Sequence, residues 1–461
     1  MSGSASQPLA RPPRLDSLTG LRFFAAFFIL FAHSTEWLAP FKGNNPIAHY
    51  GGVTSIYGMP LFFVLSGFVI HYNYGQSFAT LRFRWAAWQF LGARIARLYP
   101  LLVACFAVGL IVDRTLGWIP QHTNWWIGLV AGFLTMTQSW FYIIIFDDRL
   151  LAQNAFGLAW SISSEFFFYL AYLGLVFLLL QLRSLRAAII AWTVFGALAF
   201  LFFVECKTHL DGIGVLAQKY IEDYVPAEKN SANSFVFWLF YYSPYSRIFE
   251  FILGCLTAEL YNQTYNRQVS AVEARWAHFF IWGAMTVLGV IGYFFLFSYP
   301  FPTVSDYVMF MHQNFICAIP IAILIFCIAR YDSSLSNFLC DARLIFLGEM
   351  SYSIYSVHTW TLRIFIRDPA DYSIPEVVDA VFRIALAITV TLILSSATYR
   401  LIEIPGRAGL RAFFSRLAAA TLGPRAANIR GNQRPGLRDC AVAVSSLAVF
   451  IGIIVACQLR R

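Results

Sequence analysis

Residues Leu21–Ala39 read LRFFAAFFILFAHSTEWLA, an apolar run long enough to cross a bilayer as a helix. It carries Arg22 at its mouth and His33 eleven residues later. On a helix the two lie about 16 Å apart along the axis and within roughly 20° of one face. Ionisable groups are costly inside a membrane helix, so they face a bundle interior or a wet cavity. The pair reads as a basic group at one membrane surface and a proton acceptor deep in the bilayer, on one wall.

Similar runs recur along the chain. Apolar residues make up 59% of the 461 and charged residues 12%, which excludes an ordinary soluble domain. The fold class is all-α, a polytopic membrane helical bundle. A β-barrel is excluded because the runs are continuous and do not alternate. The cysteines sit mostly inside apolar runs (Cys105, Cys255, Cys317, Cys327, Cys457), with no CxxC and no metal spacing, and read as small core residues. The net charge of +9 fits basic loops facing anionic lipid, with no nucleic-acid partner. The N-terminus superficially resembles a signal peptide, but the length of the first run and its His33 make it an anchor.

The apolar runs predict spans near 21–39, 53–73, 99–117, 157–180, 187–204, 236–260, 277–297, 312–329, 344–366 and 379–399. Arg11, Arg14 and Arg22 put the N-terminus inside, and Arg82, Arg84, Arg94 and Arg97 then also fall inside. The basic loops at Arg183/Arg186, Arg267/Arg275, Arg330/Arg343 and Arg400/Arg407/Arg411 agree only if the further run 125–146 does not cross. About ten crossings result. The predicted division is a cytoplasmic tail (1–20), a transmembrane domain (21–407), a basic amphipathic helix and linker (408–438) and a C-terminal hydrophobic segment (439–461).

Depth then sorts the polar residues. His33 falls in the outer half of its helix. Ser161 and Glu165, in WSISSEFFFYL, share a face near the outer start of theirs. His358, in LGEMSYSIYSVH, lies about 21 Å into its helix from the inside, and Tyr352 and Tyr355 share that helix. Arg22, Arg94, Arg97 and the Glu403–Arg407 stretch stand at the cytoplasmic mouth. Arginines there suit phosphate groups, a histidine can act as general base on a hydroxyl, and a carboxylate could orient the imidazole. Each residue also has a plainer role: His358 as a helix–helix hydrogen bond, Arg94 and Arg97 as inside-positive anchors. Glu250 reads as structural, paired with Arg247 at i, i+3. The ordering by depth is what favours chemistry.

At these residues the chain resembles the membrane-bound acyltransferase-3 family. The similar stretches are Leu15–His33, Gly58–Ile70 (GMPLFFVLSGFVI), Arg94–Pro100 (RIARLYP), Trp160–Leu170, Arg247–Gly254 (RIFEFILG) and Leu347–His358, in the family's order. The resemblance implies O-acyl transfer, usually O-acetyl, from acyl-coenzyme A to glycans or glycosylated small molecules across the membrane. It implies functional roles for Arg22-x10-His33, Arg94-x-x-Arg97 and Ser161-x3-Glu165. Glu403-Ile-Pro-Gly-Arg407 departs from the family's common Glu-Arg-Pro, and the esterase-like domain fused in some members is absent. The resulting expectation is a multi-pass enzyme of a bacterial cytoplasmic membrane that uses acyl-CoA as donor and has no permanently bound cofactor and no metal. His33, Glu165, Ser161 and His358 are its catalytic set, with Glu165 partnering His33. Arg22, Arg94 and Arg97 bind the donor. The rival reading is a secondary transporter using the buried histidines and Glu165 as a proton relay, against which the chain shows no internal repeat of the Arg/His pattern.

Overall fold

The apolar runs fold as helices. The computed structural model describes residues 15–36, 51–115, 126–145, 149–312, 314–365 and 376–422. The principal helices are α1 (Asp16–Glu36), α2 (Ser55–Thr80), α3 (Phe83–Thr115), α4 (Trp126–Leu134), α5 (Ala159–Leu179), α6 (Leu185–Thr208) and α7 (Pro244–Thr264). They continue with α8 (Ala271–Leu296), α9 (Ala318–Arg330), α10 (Ala342–Glu349), α11 (Ser351–Phe365), α12 (Glu376–Thr398) and α13 (Ile404–Leu422). Strand, among the described residues, is limited to the antiparallel pair Ile144–Ile145 and Arg149–Leu150.

Seven helical segments among the described residues are long and apolar enough to cross a membrane: α1, α2, α3, α5, α6, α8 and the run Val381–Leu422. The protein is therefore an all-α, multi-pass membrane protein, and the expected count of about ten is not confirmed. The shortfall has local causes. The 236–260 run is interrupted by a π-helical turn at Trp238–Tyr242, and α7 after it holds Arg247, Glu250 and Glu259. The 312–329 run yields only the 13 residues of α9. The 344–366 run is split at Met350 between α10 and α11. Helix α4, in the 125–146 run that lies outside the expected ten, has nine residues, a rise of about 13 Å against a core of roughly 30 Å. The 408–438 stretch is helical as far as Leu422. The tail 1–14, the rest of that linker and the 441–457 run lie outside the described residues.

The bundle is built around α2, whose span is 72% buried, while α6 and α8 are only 22% buried. Apolar side chains such as Leu198, Ile190, Phe279 and Trp282 on those two helices are exposed, a surface matched to lipid. Helix α2 packs most extensively on α7. A Cβ on Gly67 would run into the Phe251 carbonyl, and one on Gly254 into the Val64 carbonyl, so each glycine lets the other helix approach. Helix α1 lies against α2, α10 and α11, and α13 lies along α3, where Trp88 Nε1 donates to the Phe414 carbonyl at 3.0 Å. These packings bring residues from both ends of the chain to one interior.

Candidate active site

Two cavities lie in that interior. The first, of about 70 Å³, is lined by Arg22 from α1, Ser66 from α2, Arg94 and Arg97 from α3, and Ser161 and Glu165 from α5. The sequence spreads these residues over 144 positions (165 − 22 + 1) and the bundle gathers them into one pocket. Arg94 and Arg97 share a helix face at i, i+3. Arg94 Nη2 donates to the Tyr74 hydroxyl at 3.0 Å, and its guanidinium lies 5.1 Å from that ring's centre. Arg94 Nε is buried with no hydrogen-bond partner among the described residues. Glu165 Oε1 accepts from Ser66 Oγ at 2.9 Å. Three guanidiniums therefore line this pocket against one carboxylate. Such an excess of positive charge, held away from water, favours an anionic ligand with oxygen acceptors.

The second cavity is about 650 Å³ and is lined by His33, Gln153, Trp160, Tyr241, Arg247 and His312 among others. His33 Nδ1 stands 2.9 Å from His358 Nε2, and His358 Nδ1 stands 2.7 Å from the Tyr355 carbonyl. A carbonyl only accepts, so His358 carries its proton on Nδ1. With both rings neutral, His358 Nε2 is then an acceptor and His33 Nδ1 its donor. That tautomer leaves Nε2 as the basic nitrogen of His33. The arrangement can take a proton from a hydroxyl in the cavity while a second ring and a backbone carbonyl hold the imidazole in place.

The predicted site residues thus divide. Arg22, Arg94, Arg97, Ser161 and Glu165 share the first cavity, while His33 lines the second and bonds His358. The expected partnership of Glu165 with His33 gives way to His33–His358 and Ser66–Glu165 pairs. Ser161 reaches toward the boundary, donating to the Tyr355 hydroxyl at 2.8 Å. Glu165 lies one turn further along α5, about 6 Å toward the arginines. Arg247 and Glu250 pair at 3.2 Å, fully buried, as their spacing predicts, but Arg247 also faces the histidine cavity, over the rings of Phe63 and Tyr241. Sequence reasoning passed over Met59 and named Tyr355 on the helix of His358 without giving it a role; both line both cavities. Tyr355 had a signal in its spacing from His358 on one helix; an apolar Met59 carried none.

A family model describing an acyltransferase domain, that of the acyltransferase-3 group, matches residues 15–400. The chain is 26% identical over 361 residues to "Acyltransferase MdmB" of Streptomyces mycarofaciens, covering 77% of this chain and 80% of that one. It is also 38% identical over 99 residues to "Protein 2 in picA locus" of Rhizobium radiobacter, 21% of this chain and 44% of that one. No solved structure matches.

Proposed function

The chain belongs to the acyltransferase-3 family, and from that premise we propose that it moves a short acyl group from cytoplasmic acyl-coenzyme A to a hydroxyl of a glycan or glycosylated acceptor on the opposite face of the membrane. The observation that carries this reading is the abutment of an arginine pocket on a histidine cavity. Arg22, Arg94 and Arg97 bind the donor's phosphates, and its pantetheine arm runs parallel to α1 toward His33, a distance of about 16 Å. The acceptor hydroxyl enters from the histidine cavity, whose rings (Trp160, Tyr241, Trp360) suit the apolar faces of sugars.

The hydroxyl oxygen attacks the thioester carbonyl while His33 Nε2 removes its proton. The tetrahedral intermediate collapses with cleavage of the C–S bond, and the coenzyme A thiolate leaves with the proton held by His33. A C–O bond replaces a C–S bond and no redox partner is needed. His358 positions His33. Glu165 offsets part of the arginine charge and holds Ser66. The basic loops orient the arginine end toward the cytoplasm, and the relatives' bacterial sources support the cytoplasmic membrane of a bacterium.

Binding of coenzyme A to purified protein tests the donor site. Arg94→Ala and Arg97→Ala should each weaken it by about tenfold or more, from the loss of a charge-assisted contact, and His33→Ala should leave it unchanged. Unaltered affinity in both arginine variants would return these residues to the role of anchors.

A further inference from the structure

The linings of the two cavities meet at Met59 and Tyr355. Both side chains are buried, at 4% and 5% exposure. Tyr355 is fixed: its hydroxyl accepts from Ser161 Oγ at 2.8 Å and donates to the Leu158 carbonyl at 3.0 Å, and its ring packs edge-on against Phe62 at 5.9 Å. Met59, which lines the same two cavities, is the adaptable part of that shared wall, an unbranched side chain with no polar tether. The volumes on either side differ widely, about 70 Å³ with the arginines and about 650 Å³ with His33.

We propose that Met59 and Tyr355 form a throat between the two cavities that selects the donor's acyl group by its width. The inference rests on the acyl-coenzyme A reading above. In an acyl thioester the acyl group leads and the pantetheine follows. A donor held by its phosphates must therefore push its acyl group past Met59 and Tyr355 before the carbonyl reaches His33. Carbons beyond the carbonyl emerge into the larger cavity, so a linear chain threads whatever its extra length costs there. A branch next to the carbonyl widens the cross-section at the throat itself. Length and width are therefore separable, and isomeric acyl groups separate them with hydrophobicity held nearly equal.

The experiment supplies radiolabelled n-butyryl- or isobutyryl-coenzyme A to inverted membrane vesicles from the native host, which retain the natural acceptor, and compares kcat/KM for label transferred. The wild-type protein should favour the linear isomer by about tenfold or more, the discrimination a misplaced methyl group commonly produces. Met59→Ala should bring the ratio toward one, and Met59→Val, which removes less volume and perturbs packing less, should move it the same way by a smaller factor. A wild type that does not discriminate overturns the throat. So does a ratio unmoved in folded variants that still bind coenzyme A. Failure of the wild type to bind coenzyme A at all is a different result: it removes the donor reading, and the throat falls with it.

Discussion

At the scale of single residues, the hydrogen bond between His33 and His358 carries the most consequence. A lone imidazole rotates and tautomerises; one tied through a second ring to the Tyr355 carbonyl does neither freely. His33→Ala should lower kcat by about 10²–10⁴, the usual contribution of a general base. His358→Phe keeps the aromatic volume but removes the acceptor, and should lower kcat by a smaller factor without changing coenzyme A affinity. Steady-state kinetics beside a binding measurement distinguish these outcomes. Equal activity in His358→Phe and wild type would leave His358 as a helix–helix contact. The split of the site into two cavities also explains why the hydrogen-bond partner of Glu165 is Ser66 and not the His33 expected from sequence. Spacing along α5 gave its face relative to Ser161, but which neighbouring helix supplies its partner depends on packing, and α2 supplies Ser66.

At the scale of elements, the crossing of α2 and α7 holds the throat and the histidine cavity in register. Met59 lies on α2 and Arg247 on α7, and the close approach of the two helices depends on Gly67 and Gly254. Gly254→Val forces the backbones apart and should destabilise the protein by about 1–3 kcal/mol, as overpacking does. Gly283→Ala on α8, where an added Cβ meets nothing within 4 Å, should leave stability unchanged or raised. Thermal unfolding in detergent reads both. Helix existence was legible in sequence because uninterrupted apolar runs have one stable form in lipid. Helix integrity was less so: the expected 236–260 span is a π-helical turn followed by α7, whose charges are buried as a pair and a hydrogen-bonded cluster, with Glu259 held by His71 and Gln263. The break at Met350 does carry a mark, the run Gly348-Glu349-Met350-Ser351 between two more apolar stretches, which a hydropathy reading of the whole 344–366 run passes over.

At the scale of the whole molecule, the positive-inside pattern and the helix directions give one arrangement of ends. Arg149 follows α4 and Cys340 precedes α10, and the expected topology assigns them to opposite sides of the membrane. With each as the sole cysteine, an Arg149→Cys variant should react with an impermeant thiol reagent added to intact cells. Cys340 should react only when the inner face is opened. Labelling of both from outside would overturn the orientation and the cytoplasmic donor with it. The family resemblance, read from six ordered stretches, is now matched over residues 15–400. Those stretches were legible because each combines a polar residue with an apolar run that would exclude it by chance.

The join between His33 and His358 spans 325 positions, and Ser17 Oγ reaches the Ile328 carbonyl across 311. At roughly 5–20 residues per second of synthesis, α1 waits on the order of 16–65 s for α11 to be made. Helix α2 arrives early and covers one face, with Thr54 Oγ1 on the Phe28 carbonyl. The face meant for α10 and α11 stays open to lipid, and with it the histidine that His358 will hold. A ribosome that stops before Ser351 releases a bundle anchored in the membrane yet uncapped along one side, so the last quarter of translation decides whether a copy is finished or marked for removal.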